Sequence, residues 1–169
     1  HSAMIVNEEG GRQSFYRNSR RNHGFRNFGN YCLMSSIFSR IIAGEIPCYK
    51  VAETKNCFAF LDVKPLTKGH VLVVPKTEID YYFDIEEGLF IEMNLFAKDL
   101  AKSIASVVPC IKVGVAVIGL EVAHAHIHLV PLNKISDLNF SNPRVEINQE
   151  EMISTAAAIA MAYANNTKN

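Results

Sequence analysis

No stretch of this 169-residue sequence is apolar for long enough to cross a bilayer. The longest apolar run near the C-terminus, Ala156 to Ala162, falls far short of the roughly 20 residues a span needs. No secretory hydrophobic region precedes residue 40. Cysteine is sparse: Cys32, Cys48, Cys57 and Cys110 form no C-x-x-C pair. A chain with this much core needs no disulfide framework, so reduced thiols and a cytoplasmic location are expected. Internal repeats are absent. There is no excess of either charge, with 17 basic and 17 acidic residues. The balance conceals an asymmetry. Residues 1–33 carry five Arg against two Glu, and the remainder is net −3. An acidic body argues against nucleic acid as a partner, because phosphate neutralisation needs clustered Lys and Arg.

What remains is a sequence with 49 % hydrophobic and 20 % charged residues, the balance of a globular chain with a core. It divides into three parts. Residues 1–33, rich in Asn, Arg, Gly and Ser, read as a disordered leader that starts with an expression-tag remnant, His1-Ser2-Ala3. The alternative is a basic arm with interleaved Phe15, Tyr16, Phe25, Phe28 and Tyr31 that touches a nucleotide or nucleic acid. Residues 34–133 form the domain, and Met34 is a plausible natural start. A short helix is predicted over Ser36–Ala43, and a long one over Glu86–Val108 with Leu89, Phe90, Met93, Phe96, Ala97 and Leu100 at i, i+3, i+4 spacing. Strands are predicted at Tyr49–Glu53, Cys57–Asp62, His70–Pro75, Ile111–Ile118 and His124–Pro131. Strands joined mostly by turns, then a long helix, predict an α+β fold: an antiparallel sheet of about five strands with helices on one face. Residues 134–169 are an extension with an Ala-rich helix over Glu150–Ala164. Its apolar stripe runs through Met152, Ile153, Ala156, Ala157, Ile159, Ala160 and Tyr163.

The chemistry concentrates in Val122-Ala123-His124-Ala125-His126-Ile127-His128-Leu129-Val130-Pro131. On a strand, His124, His126 and His128 share one face, about 6.5–7 Å apart, while Ala125, Ile127 and Leu129 face a core. Three readings stand. Imidazole is a zinc ligand, and two rings at i, i+2 can share a metal, but a third at i+4 strains to join and no Cys pair offers further ligands. Imidazole with a pKa near about 6.5 is also a nucleophile and a donor. One ring can attack phosphorus while its neighbours stabilise the phosphate oxygens. The third reading is a structural cluster, which requires a partner for every buried ring nitrogen.

His-Ala-His-Ile-His-Leu-Val resembles the H-φ-H-φ-H-φ-φ signature of the histidine triad (HIT) superfamily, with Ala as a small φ. The resemblance covers residues 36–133. Ile37-Phe38-Ser39-Arg40-Ile41-Ile42-Ala43-Gly44-Glu45-Ile46-Pro47 is similar to the family's first helix and Glu-Ile-Pro. Phe58-Ala59-Phe60-Leu61-Asp62-Val63 is similar to its nucleoside-binding strand. Pro65 and Gly69-His70-Val71-Leu72-Val73-Val74-Pro75-Lys76 are similar to the next turn and strand. The Hint-like branch of nucleotide hydrolases is the best match. The resemblance implies an enzyme in which His126 attacks the α-phosphorus of a purine nucleotide conjugate of phosphoramidate type. Water then releases a nucleoside monophosphate from the nucleotidyl-histidine. His124 and His128 flank His126, and His70 supports them. Asp62 binds the ribose hydroxyls, and Ile37, Phe38, Ile41, Phe60 and Val63 form the base pocket. It implies no cofactor, and a homodimer joined through the long helix and a strand.

The sequence departs from the family pattern in places. Ser36 and Ser39 stand where some relatives carry a zinc-binding C-x-x-C, so no metal ligands are predicted. Glu78 stands where many Hint-like proteins have another His. In Gly119-Leu120-Glu121-Val122, Leu120 replaces a Gln, and Glu121 takes the place of a hydroxyl that helps protonate the leaving group. Gly119 and Glu121 are therefore carried as nucleotide-contact candidates. Glu121 is a general acid if burial raises its pKa, or else a solvated charge. Two alternatives to the phosphoramidate reading remain. One is a dinucleoside polyphosphate hydrolase, whose long leaving group would need Lys76, Lys134 or Arg144. The other is a nucleotide-binding or scaffolding protein with incidental turnover.

Overall fold

The computed structural model describes residues 35–167. The leader 1–33, with its five aromatic residues, Cys32 and the start at Met34 lie outside them. Ser36 begins α1 (Ile37–Ile42), its hydroxyl accepting from Ser39 N–H at 3.0 Å, which satisfies one of the donors a helix N-terminus leaves free. Strands β1 (Lys50–Glu53) and β2 (Cys57–Leu61) form a hairpin. Thr54 closes it: its hydroxyl accepts from Cys57 N–H at 3.0 Å and donates to Glu92 at 2.7 Å. Strand β3 (Val71–Pro75) follows, then α2 (Glu87–Val107), β4 (Lys112–Ala116), β5 (Ile127–Leu132) and α3 (Gln149–Asn166). Glu86 caps α2, accepting from the N–H groups of Gly88 and Leu89. The strands make one antiparallel sheet in the order β1-β2-β3-β5-β4.

Both faces of β2 and β3 are buried, so period-2 alternation sorts their side chains between two cores. Cys57, Ala59, Leu61, Val71 and Val73 join Ile127 and Leu129 under Met93, Leu100 and Ile104 of α2 and Met152 and Ile159 of α3. Phe58, Phe60, Leu72 and Val74 point the other way and pack with Phe38 of α1. The helices therefore do not all lie on one face, as expected from sequence. The short α1 is amphipathic toward the second face, and Phe38 is its buried residue. Burying one such ring contributes about 1.5–3 kcal/mol. The α3 stripe is also narrower than predicted. Met152, Thr155, Ala156 and Ile159 are buried, whereas Ile153 and Ala157 are exposed. Tyr163 packs edge-on against Phe96 of α2 at 5.6 Å.

Two features set the site. Gly69, between β2 and β3, has φ +81°, and a Cβ there would stand 2.8 Å from Val108 Cγ2. Glycine alone satisfies both demands, and His70 follows directly. Strand β5 begins at Ile127 rather than at His124, because pairing with β3 ends at Val73↔Ile127. Upstream, Ala125 N–H bonds instead to Ile79 O at 2.6 Å. His124 and His126 therefore sit on an irregular lead-in to the strand, and only His128 is a strand residue.

Candidate active site

Leu72↔His128 is a register pair of β3 and β5, which puts His128 on the Phe58–Phe60–Leu72 face. The four histidines gather there, all buried. They do not form an evenly spaced row. His126 and His128 approach to 4.8 Å between ring centroids, inclined at 69°, and His128 lies 5.2 Å from His70. Phe38 stands edge-on to both His124 and His126, at 5.8 and 5.2 Å.

Each ring is held in one tautomer by a neighbour. His126 Nδ1–H donates to the carbonyl of His124 at 2.7 Å, leaving Nε2 with its lone pair. His124 Nε2–H donates to Pro75 O at 2.8 Å, and its Nδ1 accepts from the Ser36 hydroxyl at 2.7 Å. The backbone N–H of Leu66 donates to His70 Nδ1 at 3.1 Å. That places the His70 proton on Nε2, which donates to His128 Nδ1 at 3.0 Å. His128 consequently keeps its proton on Nε2. Burial, with the charge of Arg144 acting in the same direction, pushes His70 and His128 down to about 3, and burial outweighs the Pro75 hydrogen bond and Glu78 to lower His124, so these rings are neutral near pH 7.

Asp62 borders this set. Its Oδ1 accepts from Lys64 N–H at 2.8 Å. Burial raises its pKa, while that hydrogen bond and the charge of Arg144 oppose the rise. Its Oδ2 lies 3.6 Å from His70 Nδ1, but this is not an ion pair, because Nδ1 already accepts from Leu66 and the ring is uncharged. Asp62, His70 and His128 also hold ligand-type atoms within 4.8 Å of one another. Both His70 nitrogens are engaged, so a metal would first have to break the Leu66 and His128 hydrogen bonds.

Among the other sequence candidates, Phe38 and Phe60 meet at 5.5 Å in the second core, and Ile41 packs against it. Ile37 and Val63 do not join that core, being 49 % and 67 % exposed. Gly119 has φ +71° with open space around it. Glu121 is exposed, so the burial that its general-acid reading requires is missing. Of the three basic candidates, Lys76 is paired with Glu53 at 2.7 Å and Lys134 is exposed. Arg144 alone is felt at Asp62, His70 and His128. Sequence reading missed Phe140, whose ring packs edge-on to His128 at 4.8 Å. An aromatic residue in an irregular loop carries no periodic signal.

A sheet of this order with three histidines on the lead-in to β5 and its first residues, and a fourth ahead of β3, defines a class, the histidine triad proteins. The HIT domain model matches residues 43–135. An adenosine 5′-monophosphoramidase of Schizosaccharomyces pombe is 32 % identical over 135 residues, covering 70 % of this chain and 91 % of that protein. One of Saccharomyces cerevisiae is 36 % identical over 96 residues, covering 56 % and 61 %. A zinc-bound histidine triad protein of Mycobacterium smegmatis superposes with a TM-score of 0.69 at 24 % identity, covering 80 % of this chain and 97 % of that one. The chain belongs to the HIT family, and its class of activity is that of a hydrolase.

Zinc does not fit the corresponding corner of this chain. Ser36, Ser39, Glu78 and His124 meet there, but they satisfy one another. Ser36 N–H donates to Glu78 Oε2 at 2.9 Å, the Ser39 hydroxyl donates to the same oxygen, and Ser36 donates to His124. Neutral hydroxyls replace the thiolates that make such a site bind zinc, and both His124 nitrogens are occupied.

Proposed function

We propose that the protein cleaves a purine nucleotide conjugate of phosphoramidate type at the α-phosphorus and releases a nucleoside monophosphate. The observation that supports this most is the 2.7 Å hydrogen bond from His126 Nδ1–H to His124 O. It leaves Nε2 of a nearly buried ring as a free nucleophile. His126 Nε2 attacks phosphorus and the bond to the leaving nitrogen breaks, that nitrogen taking a proton from solvent. Water then attacks the nucleotidyl-histidine, the Nε2–P bond breaks, and a proton returns to solvent. His128 Nε2–H donates to a phosphate oxygen, where negative charge develops. His70 acts through His128, and His124 offers its carbonyl to His126. Asp62 accepts from the ribose hydroxyls. Phe38, Phe60 and Ile41 form the floor beneath the base, and the exposed Ile37 and Val63 are surfaces for it to cover. The names of the two yeast relatives favour the phosphoramidate class.

We also propose a second copy of this chain as partner. β4 is an edge strand with Val115 60 % exposed, and Leu95 on α2 is 55 % exposed. Apolar side chains on an unpaired edge invite a self-complementary contact. No helix among the described residues is long and apolar enough to cross a membrane.

The test is incubation with adenosine 5′-phosphoramidate and, separately, diadenosine tetraphosphate, in EDTA, beside His126→Ala. AMP release from the phosphoramidate that disappears in the variant is the expected result. Preferential cleavage of the tetraphosphate would favour the dinucleoside polyphosphate reading. AMP binding without turnover of either substrate would overturn the catalytic one.

A further inference from the structure

Arg144 Nη1 is the one buried side-chain nitrogen or oxygen among the described residues that lacks a hydrogen-bond partner. A buried polar group left unpaired is costly, and more so when charged. Such a group needs an account. The chain around it is well anchored. Val145 N–H bonds to Pro65 O at 2.9 Å, fixing this segment beside the turn between Asp62 and His70. The guanidinium carbon lies 5.6 Å from the centre of the Phe140 ring, and Phe140 in turn packs on His128. A folded-in Arg next to the triad is thus supplied by the extension after β5.

No carboxylate among the described residues forms a salt bridge with it, although its charge acts on Asp62 from farther off. Asp62, the adjacent carboxylate, makes no ion pair with it within 4.0 Å and already accepts from Lys64 N–H. His70, His124 and His128 are neutral. A phosphate brought against uncharged imidazoles needs a cation, and a guanidinium matches phosphate oxygens in both shape and charge.

We propose that Arg144 is a phosphate-binding residue of this active site, its Nη1–H donating to an oxygen of the phosphoryl group that His128 also contacts. This rests on the nucleotide reading above for the identity of the ligand. The competing role is mechanical, with Arg144 merely pressing Phe140 onto His128.

Titration calorimetry with AMP, adenosine and inorganic phosphate, on the full chain and on Arg144→Met and Arg144→Lys, separates the two. Met keeps an apolar stem over Phe140 and removes the charge. The expected result is AMP affinity at least 10-fold weaker in Arg144→Met, adenosine affinity within two-fold of the parent, and partial recovery in Arg144→Lys. Equal losses for AMP and adenosine, or no loss for either, would overturn the proposal. If the parent binds phosphate but not AMP, and Arg144→Met loses phosphate, Arg144 keeps its role and the nucleotide reading falls. If the parent binds none of the three probes, both fall.

Discussion

His70 donates from Nε2 to Nδ1 of His128 across 3.0 Å, and its own Nδ1 is filled by the backbone N–H of Leu66. One peptide group thus dictates where the proton sits two rings away. Replacing His70 with Ala frees His128 to carry its proton on either nitrogen. His70 is a positioning residue on this view, so kcat should fall about 10-fold, the effect of about 1.4 kcal/mol, with KM within three-fold. Steady-state kinetics check this. An unchanged kcat would show that the relay does not matter.

The same burial makes stability depend on pH. His70 and His128 bind protons at about 3 in the folded chain and near about 6.5 when unfolded. Between these values the unfolded state holds more protons, so stability is full above about 6.5 and is lost as pH falls toward about 3. By pH 5 the loss is about 2 kcal/mol for each ring. Urea midpoints at pH 7.5 and pH 5 should differ accordingly, and by less in His70→Gln. Coincident midpoints would contradict the burial argument.

The Ser36–Ser39–Glu78–His124 corner predicts indifference to chelators. Dialysis against EDTA should leave the thermal midpoint and activity unchanged. Ser36→Ala removes a helix cap and the donor to His124 Nδ1 together, and should destabilise by about 1–3 kcal/mol. A chelator-dependent midpoint would mean that a metal is held after all.

Gly69 carries a positive φ and stands where a Cβ would press on Val108. Gly69→Ala therefore combines backbone strain with overpacking, each costing about 1–3 kcal/mol. Chemical denaturation should show a loss of at least about 2 kcal/mol. Gly44→Ala, at φ +77° in open space, should cost less because only the strain applies.

The β4 edge sets the expected assembly. Sedimentation should give a dimer for the parent, and Val115→Glu, which places a charge on the exposed apolar edge, should shift it to monomer. A monomeric parent at micromolar concentration would remove the second-copy proposal.

Local pattern was enough to read the elements that hold this site. The unbroken, largely β-branched apolar run of Val71–Pro75 and the 3.6-residue spacing along Glu87–Val107 reflect which side chains each element must bury, and that is written in adjacent residues. The His-Ala-His-Ile-His run likewise marked the candidate site by residue type, although its regular strand spacing did not hold for His124 and His126. Tertiary structure decided the rest. Tautomers depend on Pro75 O, Leu66 N–H and Ser36, which lie 49, 4 and 88 positions from the rings they fix, and two of the three are backbone groups with no residue signature. Strand β5 starts at Ile127 because the chain before it leaves β3, Ala125 N–H bonding to Ile79 O instead, a matter of pairing rather than propensity. Phe140 reaches His128, and Arg144 reaches Phe140, from an irregular segment held by several hydrogen bonds, one of them to Pro65. Periodicity reports what an element does to its own neighbours, whereas the approach of distant chain segments depends on how the whole core closes.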